Sequence, residues 1–358
     1  VSLKDRLKRD IAESGPITVA DYMRRCLHDS EGGYYATRPG LGAEGDFVTA
    51  PLVSQMFGEL IGLWAVETWR RLGAPPAFRF VEIGPGDGTL MDDALRAARL
   101  APEFLAAAEI VLIETSEPLI KRQRARLAER APAARWITRL AELPPGGPVL
   151  LVANELLDCL PARQFVRVER GWAERVVGLD ETGTLAFGLL PCLPPPGAPS
   201  DLEPGLVWET SLAQTALGAE LGALTARDGG AALLIDYGRD APGPGDTLQA
   251  LRAHRKEGPL ERPGEADLTV WADFPAVLDA AQAAGAGVTP ILPQGLFLAR
   301  LGVAARAEAL ARANPARADV IARQLSRLTD PDQMGLLFKA CAIIAPGAPV
   351  PPGFEETP

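Results

Sequence analysis

Residues 80–90 read Phe80-Val81-Glu82-Ile83-Gly84-Pro85-Gly86-Asp87-Gly88-Thr89-Leu90: an apolar strand end, an acid, and three glycines at alternate positions opening a helix. Such a loop lets a nucleotide-like ligand lie against bare backbone. Side chains at Gly84, Gly86 or Gly88 would hold the ligand off, and glycine also supplies the backbone angles the loop needs. A dinucleotide fingerprint spaces its glycines G-x-G-x-x-G and seats a pyrophosphate on the helix N-terminus. Here the spacing is G-x-G-x-G, and Glu82 stands two residues ahead of the first glycine. A carboxylate at that point repels a pyrophosphate and suits the ammonium of a methionine moiety.

Two further strand ends carry polar residues. Glu114 closes the second predicted strand, and a carboxylate there offers two acceptor oxygens to a ribose diol. The fourth strand runs into Asn154-Glu155-Leu156-Leu157-Asp158. In an open α/β sheet, ligands sit beyond the carboxyl ends of the strands, so these side chains are expected at the crevice. Methyl transfer from a sulfonium is an in-line displacement that asks the protein mainly to orient the nucleophile and expel water. For a guanidinium nucleophile, Glu155 and Asp158 are the residue types that hold it by paired hydrogen bonds. Asn154 either faces the same crevice or caps the next helix, with the acids complementing its dipole. The segment Gly45-Asp46-Phe47-Val48-Thr49-Ala50-Pro51 is equally divided between a loop closing over a cofactor and a helix cap. His254, in a polar stretch, reads as structural or solvated rather than catalytic.

The elements that position these residues follow from periodicity. Short helices are expected at 3–13 and 18–28, with Thr18 capping the second, and a longer helix at 53–72. Strands at 78–83, 109–114, 135–138 and 149–153 alternate with helices at 88–100 and 117–130, which argues for a parallel sheet covered on both faces. Beyond residue 160 the pattern changes to hairpin-like strands, a Pro-rich connection at 191–204, a helix at 208–226 and a buried strand at 231–235. Helices at 274–285 and 303–328 precede a last strand within 334–344. The expected division is an N-terminal helical segment and active-site loop over 1–75, then a catalytic domain over 76–345. That domain carries insertions at roughly 160–230 and roughly 240–300, and a flexible tail follows over 346–358.

Bulk properties narrow the function classes. With 358 residues, 47% hydrophobic and 23% charged, the composition is that of an ordinary globular protein. The net charge of −10 disfavours a nucleic-acid partner. Four scattered cysteines and two histidines assemble no zinc signature, so no metal is expected. The charged start of the chain and the lack of a long apolar run lead us to expect a cytoplasmic protein without membrane insertion.

Taken together, ten ordered segments resemble one family, the MidA-type class I S-adenosylmethionine methyltransferases, whose mitochondrial members assist assembly of respiratory complex I. They are GPITVADYM (15–23), GGYY (32–35), GDFVTAPLVSQMFGE (45–59), EIGPGDGTLM (82–91), IETSEPL (113–119), ANELLDCLPARQF (153–165), LLIDYG (233–238), GDTLQALRAH (245–254), DLTVWADF (267–274) and MGLLFK (334–339). The resemblance implies an α/β fold with a Rossmann-like methyltransferase sheet, an N-terminal helical segment and inserted β-hairpin and helical elements. It implies S-adenosylmethionine as cofactor and an arginine in a protein, such as a complex I subunit, as acceptor. Glu82, Gly84, Gly86, Gly88 and Glu114 then become cofactor residues, with Asp46, Phe47 and Thr49 in the loop near the site. Asn154, Glu155 and Asp158 fall at the substrate end. The chain departs from the family pattern at Leu52, Asp87 and Trp271. A partner-binding assembly factor and a small-molecule methyltransferase are the alternative readings.

Overall fold

The run Phe78–Ile83 is buried at every residue and so is Val149–Asn154, which is the signature of strands covered on both faces. In the computed structural model, which describes residues 1–37 and 49–355, these are β1 and β4 of a central sheet. With them run β2 (Ala108–Ile113), β3 (Arg135–Ile137), β5 (Gly230–Arg239), β6 (Gly287–Val288) and β7 (Phe338–Ile344). Their order is β3-β2-β1-β4-β5-β7-β6. The first five are parallel, and β7 lies antiparallel between β5 and β6. Sequence order reverses between β1 and β4, whose ends are aligned through Glu82↔Val152 and Ile83↔Ala153. That reversal is the switch point at which open α/β sheets bind ligands.

Helices α1 (Gln55–Arg71), α2 (Thr89–Ala98) and α3 (Glu117–Leu127) belong to the same unit as this sheet. The backbones of α1 and α2 touch, since a Cβ on Gly62 would lie 2.3 Å from the Ala94 carbonyl oxygen. Nearby, buried Glu59 accepts from Arg96 Nη2 at 3.1 Å and from Arg306 Nε at 2.7 Å. An aromatic cluster of Trp69, Phe78, Phe80 and Phe104 packs beneath β1 with ring centroids 4.9–6.3 Å apart. Each such ring contributes about 1.5–3 kcal/mol on burial.

Three expectations change. The helix expected at 303–328 is two helices, Val303–Ala313 and Ala318–Thr329, broken at Asn314-Pro315, because proline cannot continue the first. The tail is packed as far as it is described. Phe354 is 3% exposed and stacks on Phe297 with centroids 5.0 Å apart, while Glu355 pairs with Arg71. A buried aromatic in a Pro-rich segment is enough to anchor it.

The domain division also differs. The sheet unit comprises Val48–Leu156, Leu217–Asp240 and Phe274–Pro358, so α1 belongs to it and not to a separate N-terminal segment. The other unit draws Leu157–Ala216 and Ala241–Asp273 together with the N-terminal helices Leu3–Ser14 and Val19–His28. Ser2 and Thr18 cap those helices through their side chains. Tyr22 donates its hydroxyl to the Pro259 carbonyl at 2.7 Å, tying the second helix to an inserted segment. This unit holds an antiparallel sheet of Ile17–Thr18, Gly171–Leu179, Arg163–Val168 and Val207–Thr210, with Leu185–Cys192 paired to Gly171–Leu179. It also holds a three-stranded sheet of Gln249–Arg252, Arg255–Glu257 and Asp267–Thr269. Among the described residues no helix is long and apolar enough to cross a membrane.

Candidate active site

The chain leaves β1 through a loop in which Gly84, Gly86 and Gly88 take φ of 66°, 54° and 85°. These left-handed angles are the reason for glycine at alternate positions. A Cβ on Gly86 would meet nothing within 4 Å, so that side of the loop is open to a ligand. Asp87 between them ends the loop locally. Its Oδ1 accepts from the Thr89 amide at 3.0 Å, and its Oδ2 accepts from Arg126 at 2.8 Å. The departure at Asp87 thus closes on an Asx turn and an ion pair with α3.

Glu82 is 3% exposed, and its Oε2 has no hydrogen-bond partner among the described residues. Burial pushes its carboxyl up to about 8, the charges of Asp87 and Glu114 add to this, and the Met91 amide draws it part of the way back. A buried carboxyl with an idle oxygen among other acids is a place for a cationic group and a poor one for a pyrophosphate. Glu114 follows β2. Its Oε1 accepts from the amides of Thr115 at 2.7 Å and Ser116 at 2.8 Å, and its Oε2 from Gln123 at 3.2 Å. Burial raises its carboxyl above the ordinary value, opposed by those hydrogen bonds.

At the end of β4, Glu155 adopts φ 52°, one of four non-glycine residues with positive φ among those described. Its Oε1 accepts from the Ala50 amide at 2.9 Å and from Asn154 Nδ2 at 3.0 Å. The Asn154 side-chain oxygen Oδ1 is buried and has no partner among the described residues. Thr49 is the cap residue of the short helix Ala50–Val53 but makes no side-chain cap bond. It therefore adjoins the amide that Glu155 holds. The sheet unit thus brings together Glu82, Gly84, Gly86, Gly88, Glu114, Asn154, Glu155 and Thr49. Asp158 falls in the other unit, buried at 6% exposure, where its backbone carbonyl accepts from Val270 at 2.9 Å. Asp46 and Phe47 lie outside the described residues.

Sequence reasoning passed over Gln123 and Ala50. Gln123 carried a signal, since it lies midway between Leu119 and Leu127 on the buried face of α3. A polar residue in an apolar stripe is buried for a reason. Ala50 carried none, because its contribution is a backbone amide.

An open α/β sheet with a glycine loop at the switch point, an acid at the end of the neighbouring strand and an idle buried carboxyl oxygen is the arrangement of an S-adenosylmethionine-type methyltransferase. Residues 60–291 match the family described as "putative S-adenosyl-L-methionine-dependent methyltransferase", and the chain belongs to that family. It is 37% identical to the Drosophila melanogaster homolog of mitochondrial protein arginine methyltransferase NDUFAF7, over 96% of this chain and 84% of that one. Identity to the Homo sapiens protein of that name is 34%, over 93% and 81%. A Burkholderia thailandensis structure bound to S-adenosyl-homocysteine superposes with a TM-score of 0.86 at 29% identity, covering 98% of this chain and 93% of that one.

Proposed function

We propose that this chain transfers a methyl group from S-adenosylmethionine to a guanidinium nitrogen of an arginine in a protein. The observation that carries the acceptor class is Glu155, a carboxylate held in a left-handed conformation directly after β4. Such a conformation costs about 1–3 kcal/mol in a non-glycine residue, so its place at the switch point suits a functional role. The names of the fly and human relatives support the same reading.

When bound, S-adenosylmethionine supplies an electrophilic methyl group on a sulfonium. The chain supplies the rest. The open backbone at Gly86 admits the ligand, the idle oxygen of Glu82 binds its ammonium, and Glu114 takes the ribose diol. The unpartnered Asn154 Oδ1 and the Glu155 carboxylate accept N–H groups of the acceptor, holding its charge away from the attacking nitrogen. Asp158 is assigned to the acceptor with them, and Asp46 and Thr49 to the cofactor side. The acceptor to try first is a subunit of respiratory complex I, which the family resemblance favours. We place the activity in the cytoplasm, with which four free cysteines are compatible.

The test is incubation of purified protein with S-adenosylmethionine carrying a labelled methyl group and an extract of its own cells. Label on an arginine of a protein, located by mass spectrometry, is the expected result. Label confined to small molecules overturns the acceptor class, and no label at all favours a partner-binding assembly factor.

A further inference from the structure

Gln123 lies in the middle of α3, yet its side chain touches both halves of the cofactor site. Its side chain is fully buried, at 0% exposure. Nε2 donates to the Gly86 carbonyl at 2.7 Å and to Glu114 Oε2 at 3.2 Å, while Oε1 accepts from the Trp136 indole N–H at 2.9 Å. An indole N–H only donates, so Trp136 obliges the amide oxygen to face β3 and both amide hydrogens to face the site. Trp136 is held in turn by the Arg124 guanidinium, 4.4 Å above its ring.

The two bonds made by Nε2 have distinct consequences. Holding the Gly86 carbonyl towards α3 turns the Asp87 amide on the opposite side of the same planar peptide. Arg126 does the like for the next peptide, donating from Nε to the Asp87 carbonyl at 3.0 Å. Glu114 is anchored at Oε1 by two backbone amides, whereas Gln123 anchors Oε2. Oε2 keeps lone-pair capacity after accepting that single bond.

We propose that Gln123, oriented by Trp136, is the positioning residue that sets the Glu114 carboxylate for a 2′,3′-diol and couples ribose recognition to the glycine loop. This rests on the methyltransferase reading above, and it makes Gln123 a determinant of selectivity for an unmodified ribose. Without the amide, Glu114 remains but its Oε2 is unfixed, so the cost falls on ligands that present the diol. A residue that merely filled space would weaken all adenosine ligands alike.

The experiment is calorimetric titration of the full chain with S-adenosylhomocysteine and with its 2′-deoxy analogue. Wild-type protein is expected to prefer the diol by about tenfold, the usual scale for a hydrogen bond to a charged group. Gln123→Met keeps length and apolar bulk without the donors, and is expected to bring that preference to within about twofold. Trp136→Phe removes the indole donor and is expected to lower the preference part of the way, which keeps the test available if Gln123→Met fails to fold. A preference unchanged in the folded variants overturns the role of Gln123 while leaving the methyltransferase reading intact. Wild-type protein that binds neither ligand overturns that reading, and this inference with it.

Discussion

The carboxylate of Glu155 accepts the backbone N–H of Ala50 at 2.9 Å, across 105 residues of sequence. The bond joins the residue after β4 to the start of the helix Ala50–Val53, and so ties the end of that strand to the segment that carries Thr49.

This bond separates two substitutions at Glu155. In Glu155→Gln the amide oxygen still accepts from Ala50, so S-adenosylhomocysteine binding should stay within about twofold of wild type. Loss of the charge that holds the guanidinium should reduce kcat by about 10²–10³, the scale seen when a group aimed at transition-state charge is removed. Glu155→Ala should do the same and also lower stability by about 1–3 kcal/mol, through the unsatisfied amide. Single-turnover kinetics and denaturant melts on both variants check this, and undiminished turnover in Glu155→Gln removes the residue from the mechanism.

Glu82 makes two pH dependences. Its carboxyl, raised to about 8 by burial and by neighbouring Asp87 and Glu114, stays protonated in the free fold where an unfolded chain has already ionised. The folded state therefore binds more protons between about pH 4.5 and 8, and this group's contribution to stability declines as pH rises across that window. Binding of an ammonium favours the carboxylate, so affinity for S-adenosylhomocysteine should rise from pH 6 to 8 with release of a proton. Glu82→Gln should flatten both profiles. Calorimetry in buffers of different ionisation enthalpy counts the proton.

Gly86→Val should abolish measurable S-adenosylhomocysteine binding, by at least about 100-fold, since the Cβ enters the open side of the loop. Because φ is 54° there, a β-branched residue adds strain of about 1–3 kcal/mol, so the melting temperature should fall while circular dichroism stays native. Gly86→Ala separates the two effects. Tight binding by the valine variant would falsify the assignment of the loop.

The packed tail gives a prediction remote from chemistry. Phe354→Ala removes a ring that is 3% exposed and stacked on Phe297, and should destabilise the fold by about 3–5 kcal/mol. Truncation after residue 345 should cost at least as much, because the Arg71–Glu355 pair is lost too. Urea melts decide it, and an unchanged midpoint would show that the segment is dispensable.

Local signals determined much of this protein. The strand Phe78–Ile83, with Glu82 near its end, and the alternate glycines are neighbours in sequence, so strand, loop and ligand type could be read together. β1 was delimited to the residue, and β2, β3 and β4 to within one residue at either end, since short apolar-rich segments bounded by polar or turn residues mark buried strands. Glu114 and Asn154 were legible for the same reason, as the first polar residues at strand ends. What only the tertiary structure decided is non-local. Short pairings such as Gly287–Val288 and Val207–Thr210 have too few residues to show a period, and became strands through their partners. The gathering of two insertions with the N-terminal helices, the anchoring of Phe354, the Ala50–Glu155 bond and the grip of Gln123 on Gly86 and Glu114 all arise between distant segments. Sequence spacing records which groups are present; only folding sets which donors and acceptors come within 3 Å of each other, because burial then obliges each to find a partner.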